Sequence, residues 1–215
     1  CKKIKVEIMN KEELFSSLFL ASREFKFCKL GLAGLNNAAD KNSVSLCVKL
    51  LREQILSCFK ENFHDFIAQN IELWNEKWKA ELNAGGIWVN EVPGDKPDAI
   101  IIAANKTNSK LISLLCFKNQ RVFVFGDGKV YADMNEHSKI YSKSKNLNVG
   151  LYHSSVGFIY NSKSDVLLHD DCVLYADNAT RIRTYGRSIL FLTPTCKFKN
   201  FGCKKIELVA AFGIS

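Results

Sequence analysis

A chain of 215 residues with 47% hydrophobic and 24% charged residues has the composition of one folded domain, or at most two small ones. No apolar run reaches the roughly 18 residues of a membrane-spanning helix, which excludes that class of membrane protein. The formal net charge of +8 favours acidic partners. Nucleic acid remains an option that rests on net charge alone, because no recognised nucleic-acid motif accompanies it.

The first half of the chain is predicted to contain three short strands and two long helices. Alternating or apolar runs indicate strands over 4–8, 15–21 and 25–32, followed by a turn at 33–43. Apolar residues then recur at helical spacing over 47–67, and Asn42 or Ser43 can cap the start of this helix. A second helix is predicted over 71–82, with Trp74 and Trp78 as core anchors, and it ends at Gly85 and Gly86.

The second half is predicted to be a meander of antiparallel strands. Strands are indicated over 99–104, 111–117, 121–125, 157–160, 172–175 and 205–212. Asp127-Gly128 between two β segments predicts a hairpin, since both residues tolerate positive φ. The polar run 138–148 is interpreted as an exposed loop, and a short helix is predicted over 178–185. Consecutive strands joined by tight turns predict antiparallel sheets, so the order of elements indicates an α+β fold. No internal repeat is apparent.

The cysteines and the N-terminal residues indicate the cellular compartment of the protein and the origin of the chain. Eight cysteines include no CxxC pair, so zinc ligation is unsupported. We interpret them as reduced core residues of an intracellular protein, cytoplasmic or nuclear, with a Cys196–Cys203 disulfide as the alternative in an oxidising compartment. The chain starts with Cys1 rather than Met and shows no signal peptide, so we expect a domain excised from a longer protein.

A single carboxylate is the main candidate for a functional residue. In the run SDVLLHDDCVLYADNATRI, Asp177 follows a strand-like segment, a common position for a metal ligand or a catalytic acid. The same residue precedes the predicted helix at 178–185, so an N-cap is the alternative interpretation.

The order of elements and several strings resemble the metal-dependent protein phosphatases of the 2C type, over nearly the whole chain. Four strings carry the resemblance to that family's acidic box, DGHGG-type turn, GDSR-type turn and final Asp-Asn: Asn10-Lys11-Glu12-Glu13, Ala33-Gly34-Leu35-Asn36-Asn37, Phe125-Gly126-Asp127-Gly128 and Lys199-Asn200. The segment 165–178 resembles the one ending in an SDG triplet. The resemblance implies one domain over residues 1–215, a sandwich of two antiparallel β-sheets flanked by helices.

The resemblance also implies a degenerate metal site. That chemistry needs two Mg²⁺ or Mn²⁺ ions held by oxygen ligands. The bridging aspartate falls on Ala33, Asp177 matches the triplet, and Lys199 replaces the last aspartate. The vestigial positions are Glu12, Glu13, Ala33, Gly34, Asp177, Lys199 and Asn200.

The implied function is that of a pseudophosphatase, an inactive domain that serves as a protein-binding, regulatory or scaffold module. Its partner would be a protein or another domain of the same chain, with no membrane association. No catalytic residue and no cofactor is expected, and Mg²⁺ or Mn²⁺ would bind only if phosphatase activity survives.

An enzymatic alternative is a cysteine hydrolase. Residues 52–82 with Gly86-Ile87-Trp88 resemble part of the ovarian-tumour-type deubiquitinases. That resemblance makes Cys28 the nucleophile and His153 its base. A buried strand cysteine and a surface histidine are the competing interpretation of these two residues.

Overall fold

The structure, a computed structural model, describes the chain in segments. These are residues 10–24, 29–57, 59, 67, 76–95, 97–105, 110–160, 164–177, 181–193, 195–200 and 205–210. The chain divides into two compact units, Cys1–Val89 and Asn90–Ser215. The strand predicted at 4–8 and the candidate nucleophile Cys28 lie outside the described residues.

The first unit is helical. It contains α1 (Lys11–Glu24), α2 (Lys29–Asp40), α3 (Val44–Ser57), α4 (Glu76–Ala84) and the short strand β1 (Ile87–Val89). The strands predicted over 15–21 and 25–32 are therefore wrong within the described residues. Leu14 and Leu18 are buried four residues apart, the spacing of a helix face, so tertiary burial sets the helical state of α1.

The string that resembles an acidic box is a helix cap. Asn10 Oδ1 accepts a hydrogen bond from the Glu13 N–H at 3.0 Å, and Glu13 Oε2 accepts one from the Asn10 N–H at 2.8 Å. This reciprocal pair is a capping box, which satisfies N–H groups that the first turn of α1 leaves without helical partners. Glu13 thus has a structural role that explains its position without any metal.

The prediction for α3 and for the end of α4 is confirmed where the structure describes them. The Leu46 N–H donates to Ser43 Oγ at 3.3 Å, so Ser43 caps the start of α3. At the other end, the Gly85 N–H donates to the Glu81 carbonyl, and Gly86 adopts a φ of 81° that suits glycine. Trp78 is buried, as expected of a core anchor.

The second unit is built from parallel strands in two ladders. The strands are β2 (Ala99–Ala104), β3 (Ile112–Cys116), β4 (Arg121–Met134), β5 (Lys139–Leu151), β6 (Val156–Ile159), β7 (Asp165–His169), β8 (Cys172–Ala176), β9 (Arg181–Tyr185), β10 (Arg187–Leu192), β11 (Lys197–Asn200) and β12 (Lys205–Ala210). The first ladder runs β2, β4, β5, β6, β8, β10, β12. The second ladder runs β3, β4, β5, β7, β9, β11. The long strands β4 and β5 belong to both.

Each strand pairs with the strand one turn of chain further on. Arg121 pairs with Lys139, Val156 with Val173, and Asp165 with Arg181, so a turn takes 16–18 residues. Repeated parallel pairing at a constant separation coils the chain into a β-solenoid. The expectation of no internal repeat is therefore wrong: some register partners share residue type, as the aromatic residues Phe123, Tyr141, Phe158, Tyr175 and Phe191 do, but their separation varies between 16 and 18 residues.

The phosphatase-2C resemblance is therefore wrong, and so is the sandwich fold that it implies. Antiparallel sheets need chain reversals between neighbouring strands. In the described part of Asn90–Ser215, the strand pairs are parallel instead.

Three local predictions in this unit are also wrong. The chain does not reverse at Asp127-Gly128, because β4 continues through it with a register irregularity between Gly126 and Lys129. The polar run 138–148 lies in β5, where Ser142 and Ser144 face the interior. Residues 181–185 form β9 rather than part of a helix.

The corners between successive turns of the solenoid repeat the same backbone conformation. Positive φ recurs at Glu136 and His137, at His153 and Ser154, and at Asp170, each about one turn after the last. Buried side chains close these corners by donating to the carbonyl three residues back: Ser138 Oγ to Asn135 at 2.6 Å, Ser155 Oγ to Tyr152 at 2.6 Å, and Cys172 Sγ to His169 at 2.8 Å. Cys172 thus takes the place of a serine in the corner.

A stack of aromatic rings runs along the outside of the first ladder. Its members follow the register at one position per turn: Phe123, Tyr141, Phe158, Tyr175 and Phe191. Neighbouring ring centroids are 4.4–4.8 Å apart and the rings are within 8° of parallel. Because the ring faces cover one another, this stack stabilises the coil.

A substitution at Gly126 tests whether β4 continues through Asp127-Gly128 without a chain reversal. Its φ is 94°, and an added Cβ would collide with the Ala104 carbonyl of β2. We expect Gly126→Ala to lower the free energy of unfolding by at least about 2 kcal/mol, measured by chemical denaturation. The control Gly94→Ala meets no atom within 4 Å and should change it by less than about 1 kcal/mol. Equal, small effects would contradict the β2–β4 pairing.

Candidate functional site

The residues predicted from the phosphatase resemblance lie on unrelated elements. Glu12 and Glu13 occupy the first turn of α1, whereas Ala33 and Gly34 lie within α2. Lys199 and Asn200 are on β11. The alignment that made these positions a vestigial metal site depended on the sandwich fold, so their assignment loses its basis.

Asp177 continues the solenoid beyond β8. Its N–H donates to the Ile159 carbonyl at 3.0 Å, which extends the first ladder by one residue. No helix occupies 181–185 for it to cap. Burial, and then the charge of Asp177, raise the pKa of Tyr160.

The thiols that the structure describes lack the environment of a catalytic nucleophile. Burial raises the pKa of Cys47 to about 12 and that of Cys172 to about 11, so both thiols are protonated at neutral pH. Cys116 is buried and free, and Cys196 is also free. His153 is exposed at a corner and faces Asp170 at 3.9 Å. Among the described residues, no three His, Cys, Asp or Glu side chains converge as a metal site.

A group of cations marks the outside of the second ladder. Arg181 and Arg183 on β9 are in register with Lys197 and Lys199 on β11, and all four are exposed. We call these four residues the basic array. Strands lie about 4.8 Å apart, and alternate residues along a strand about 6.6 Å apart. Like charges directly opposite one another destabilise a sheet, so the array costs stability wherever no anion offsets it.

Only one cation of the array has an acidic partner among the described residues. Arg181 forms a two-point ion pair with Asp165, with Nε–Oδ1 at 2.6 Å and Nη2–Oδ2 at 2.7 Å. The sequence from 178 to 206 carries seven Lys or Arg residues and no Asp or Glu. The last turns of the solenoid are therefore strongly basic.

A hollow adjoins the basic array on the same ladder. In the outward register position Asp133–Gly150–Leu167, the middle residue has no side chain. A cavity with a volume of about 230 Å³ lies beside this position. Its lining, which we call the Gly150 hollow, comprises Tyr131, Asn148, Val149, Gly150, Tyr152, Asp165, Leu167 and Arg183.

Two side chains converge above Gly150. A Cβ built on Gly150 would lie 2.6 Å from Asp133 Oδ1 and 2.7 Å from the Tyr152 hydroxyl oxygen. Asp133 Oδ1 is shielded from solvent and accepts no hydrogen bond from the described residues. Burial, and then the hydrogen bond and charge of Asp133, raise the pKa of Tyr131. Asp133 and Tyr152 thus occupy the place that a side chain at Gly150 would take, and Asp133 is not among the residues that line the hollow.

Sequence reasoning missed both features, although each has a signal. The stretch without acidic residues is visible in the sequence, but its cations converge only if residues 16 apart are neighbours. Gly150 becomes unusual only once the register places it between Asp133 and Leu167.

Comparison with known proteins finds no matching family, no matching curated protein and no matching solved structure. The described helices include none with the length and hydropathy to cross a membrane. The function must therefore be argued from the site itself.

The buried Cys47 thiol predicts a pH dependence of stability. Its pKa rises from an ordinary 9.0 to about 12, so the folded state holds the proton more tightly than the unfolded state. The stabilisation is complete below pH 9 and is lost as pH rises from 9 towards 12. We expect a contribution of up to about 1.4 kcal/mol per pH unit to the slope of unfolding free energy.

The variants Cys47→Ala and Val48→Ala separate this effect from packing. Both remove buried side chains of α3. Denaturation between pH 8 and 10.5 should give a shallower decline for Cys47→Ala and an unchanged decline for Val48→Ala. A Cys47→Ala slope equal to that of the unmodified protein would contradict the raised pKa.

Proposed function

We propose that this chain is a binding module, not an enzyme, whose solenoid presents the basic array to an acidic macromolecule. The observation that carries the proposal is the in-register placement of Arg181, Arg183, Lys197 and Lys199 with one acidic partner between them among the described residues. A protein partner or a scaffold role, as expected from the sequence, is compatible with such a surface.

The backbone makes the array a pre-organised surface. Parallel pairing with neighbours on both sides fixes β9 between β7 and β11, so the backbone that carries Arg181 and Arg183 is already ordered in the folded chain. A partner that supplies anions gains charge-assisted contacts without ordering the strands. It also relieves the repulsion between Arg183 and Lys199, which are directly opposite.

The basic array is exposed to solvent, so its attraction for a polyanion must depend on the salt concentration. At physiological ionic strength, charge interactions fade over about 8 Å. Several cations within that distance act together on one polyanion, whereas an isolated surface lysine contributes little. Binding that weakens steeply with salt is the expected signature.

The double variant Arg183→Gln/Lys199→Gln tests this proposal. It removes two charges from the array without touching the Asp165–Arg181 pair. On an immobilised polyanion such as heparin, we expect it to elute at a clearly lower salt concentration than the unmodified protein, because fewer counterions are released on binding.

The matched control is Arg121→Gln/Lys139→Gln. These two exposed cations are also in register with one another, on the first ladder, so the control removes the same charge in the same geometry elsewhere. It should elute close to the unmodified protein. If both double variants lower the eluting salt concentration equally, binding depends on net charge alone and the proposed site is overturned.

A further inference from the structure

We propose that the outer edge of β11 binds an extended acidic segment of another protein as one more parallel strand of the second ladder. This inference rests on the proposed function and names its partner. β11 carries two exposed lysines of the basic array, Lys197 and Lys199, and pairs with β9 on one side. Among the described residues, no strand pairs with its other side.

The edge of β11 offers backbone groups in a fixed direction. The N–H and C=O groups of a strand point to both sides in the plane of the sheet, and β9 binds those of one side over Lys197–Asn200. An edge strand is therefore a template for a further strand. A peptide that adds itself to such an edge gains affinity from main-chain hydrogen bonds and specificity from its alternate side chains.

The solenoid itself shows which side chains suit the next position. Asp165 of β7 and Arg181 of β9 are in register, and they form an ion pair at 2.6 and 2.7 Å. Asp171 and Arg187, also sixteen residues apart, pair at 2.9 and 3.1 Å. A strand added beside β11 lies about 4.8 Å away, so a carboxylate in register with each of its lysines is within reach of the same kind of pair.

The spacing of the two lysines sets the spacing of the acids. Lys197 and Lys199 are alternate residues of one strand, so they leave the same face of the sheet about 6.6 Å apart. A strand in register meets both lysines only if its carboxylates are also two residues apart. The residue between them joins the register position of Val166, Ile182 and Phe198, at which Val166 and Ile182 are buried. The partner therefore carries an apolar residue between two acidic ones.

A second copy of this chain does not supply that pattern. None of its 22 acidic residues lies two positions from another acidic residue. A second β11 on this edge would also bring lysines beside lysines, which destabilises a sheet. Lysines on an edge strand are a common protection against self-association. The same two lysines thus repel copies of this chain and attract an acidic strand.

A nucleic acid satisfies the charges of this edge but not its backbone. Phosphates pair with lysines at any surface, yet a nucleic acid has no row of amide N–H and C=O groups at the spacing of a strand. A protein strand provides both the carboxylates and the main-chain partners. The combination of an edge strand and alternate lysines therefore favours an acidic protein segment.

Fluorescence anisotropy with labelled peptides at physiological ionic strength tests the inference. The probe is a peptide with Glu-Val-Glu at its centre and uncharged flanks. One matched peptide, Glu-Glu-Val, keeps the charge but sends its carboxylates to opposite faces of a strand. The other keeps Glu-Val-Glu with methylated backbone nitrogens, which cannot donate hydrogen bonds. We expect each to bind at least about tenfold more weakly than the probe.

Variants of the chain locate the binding on β11. Lys197→Gln/Lys199→Gln should bind the probe at least about fivefold more weakly, since it loses two exposed ion pairs. The control Arg121→Gln/Lys139→Gln removes an in-register cation pair of the first ladder and should bind the probe as the unmodified protein does. Lys197→Glu/Lys199→Glu should bind a Lys-Val-Lys peptide better than the probe. Circular dichroism of each variant confirms that loss of binding is not loss of fold.

The outcomes separate this inference from the proposed function. If the three peptides bind alike, or Lys197→Gln/Lys199→Gln binds the probe normally, while heparin elution of Arg183→Gln/Lys199→Gln still shifts, the inference is overturned and the array stands. If a thymidine oligonucleotide binds the array and no peptide does, the partner is a nucleic acid and the inference is overturned. If neither heparin nor any peptide depends on these cations, both proposals fall.

Discussion

In-register pairing between strands one turn apart is the interaction on which the rest of the second unit depends. Register partners are 22 residues apart between β2 and β4 and 16–18 residues apart in the turns that follow. Side chains at equivalent positions of successive turns therefore stack on one another, and we call each such set a column. The side chains of one column must fit together in size and charge. Ile140, Gly157 and Leu174 form one interior column, in which an added Cβ at Gly157 would lie 2.9 Å from Leu151. A small residue in one column thus makes room for a large one in the next.

The same constraint explains the charges and the hollow. Complementary residues in one column pair, as Asp165 does with Arg181 and Asp171 with Arg187, each sixteen residues apart. Like residues in one column concentrate charge, as Arg183 and Lys199 do. A glycine in an outward column makes room for neighbouring side chains, as Gly150 does for Asp133 and Tyr152 beside the hollow. Both features are consequences of register rather than of any local motif.

Local structure could be predicted where it depends on local signals. The cap at Ser43, the helix end at Gly85 and the strand Ala99–Ala104 follow from residue preference and periodicity. The direction of strand pairing does not, because the alternation of a strand is the same in a hairpin and in a solenoid. Asp127-Gly128 therefore predicted a reversal, although β4 and β5 run parallel past it.

Polar residues at interior positions made the repeat hard to predict from the sequence, and the candidate site depends on that repeat. Ser138, Ser142 and Ser144 are buried although their run has the composition of a loop, because a corner carbonyl and backbone N–H groups satisfy all three hydroxyls. The family resemblance relied on short strings such as Asn10 to Glu13, which form a helix cap in any fold. The cations of the array are neighbours only through the register of β9 and β11, so a search that ignores the 16-residue separation does not bring them together.

Cross-strand nuclear Overhauser effects in the second unit test the central claim most directly. The solenoid predicts contacts from Val124 to Ile102 and to Ser142, its register partners on the two sides. A hairpin at Asp127-Gly128 instead places Phe125 opposite Val130 and gives contacts between residues whose numbers add to a constant. Observation of the first set at separations of 16–22 residues is the expected result, and observation of the second set would contradict the solenoid and the site built on it.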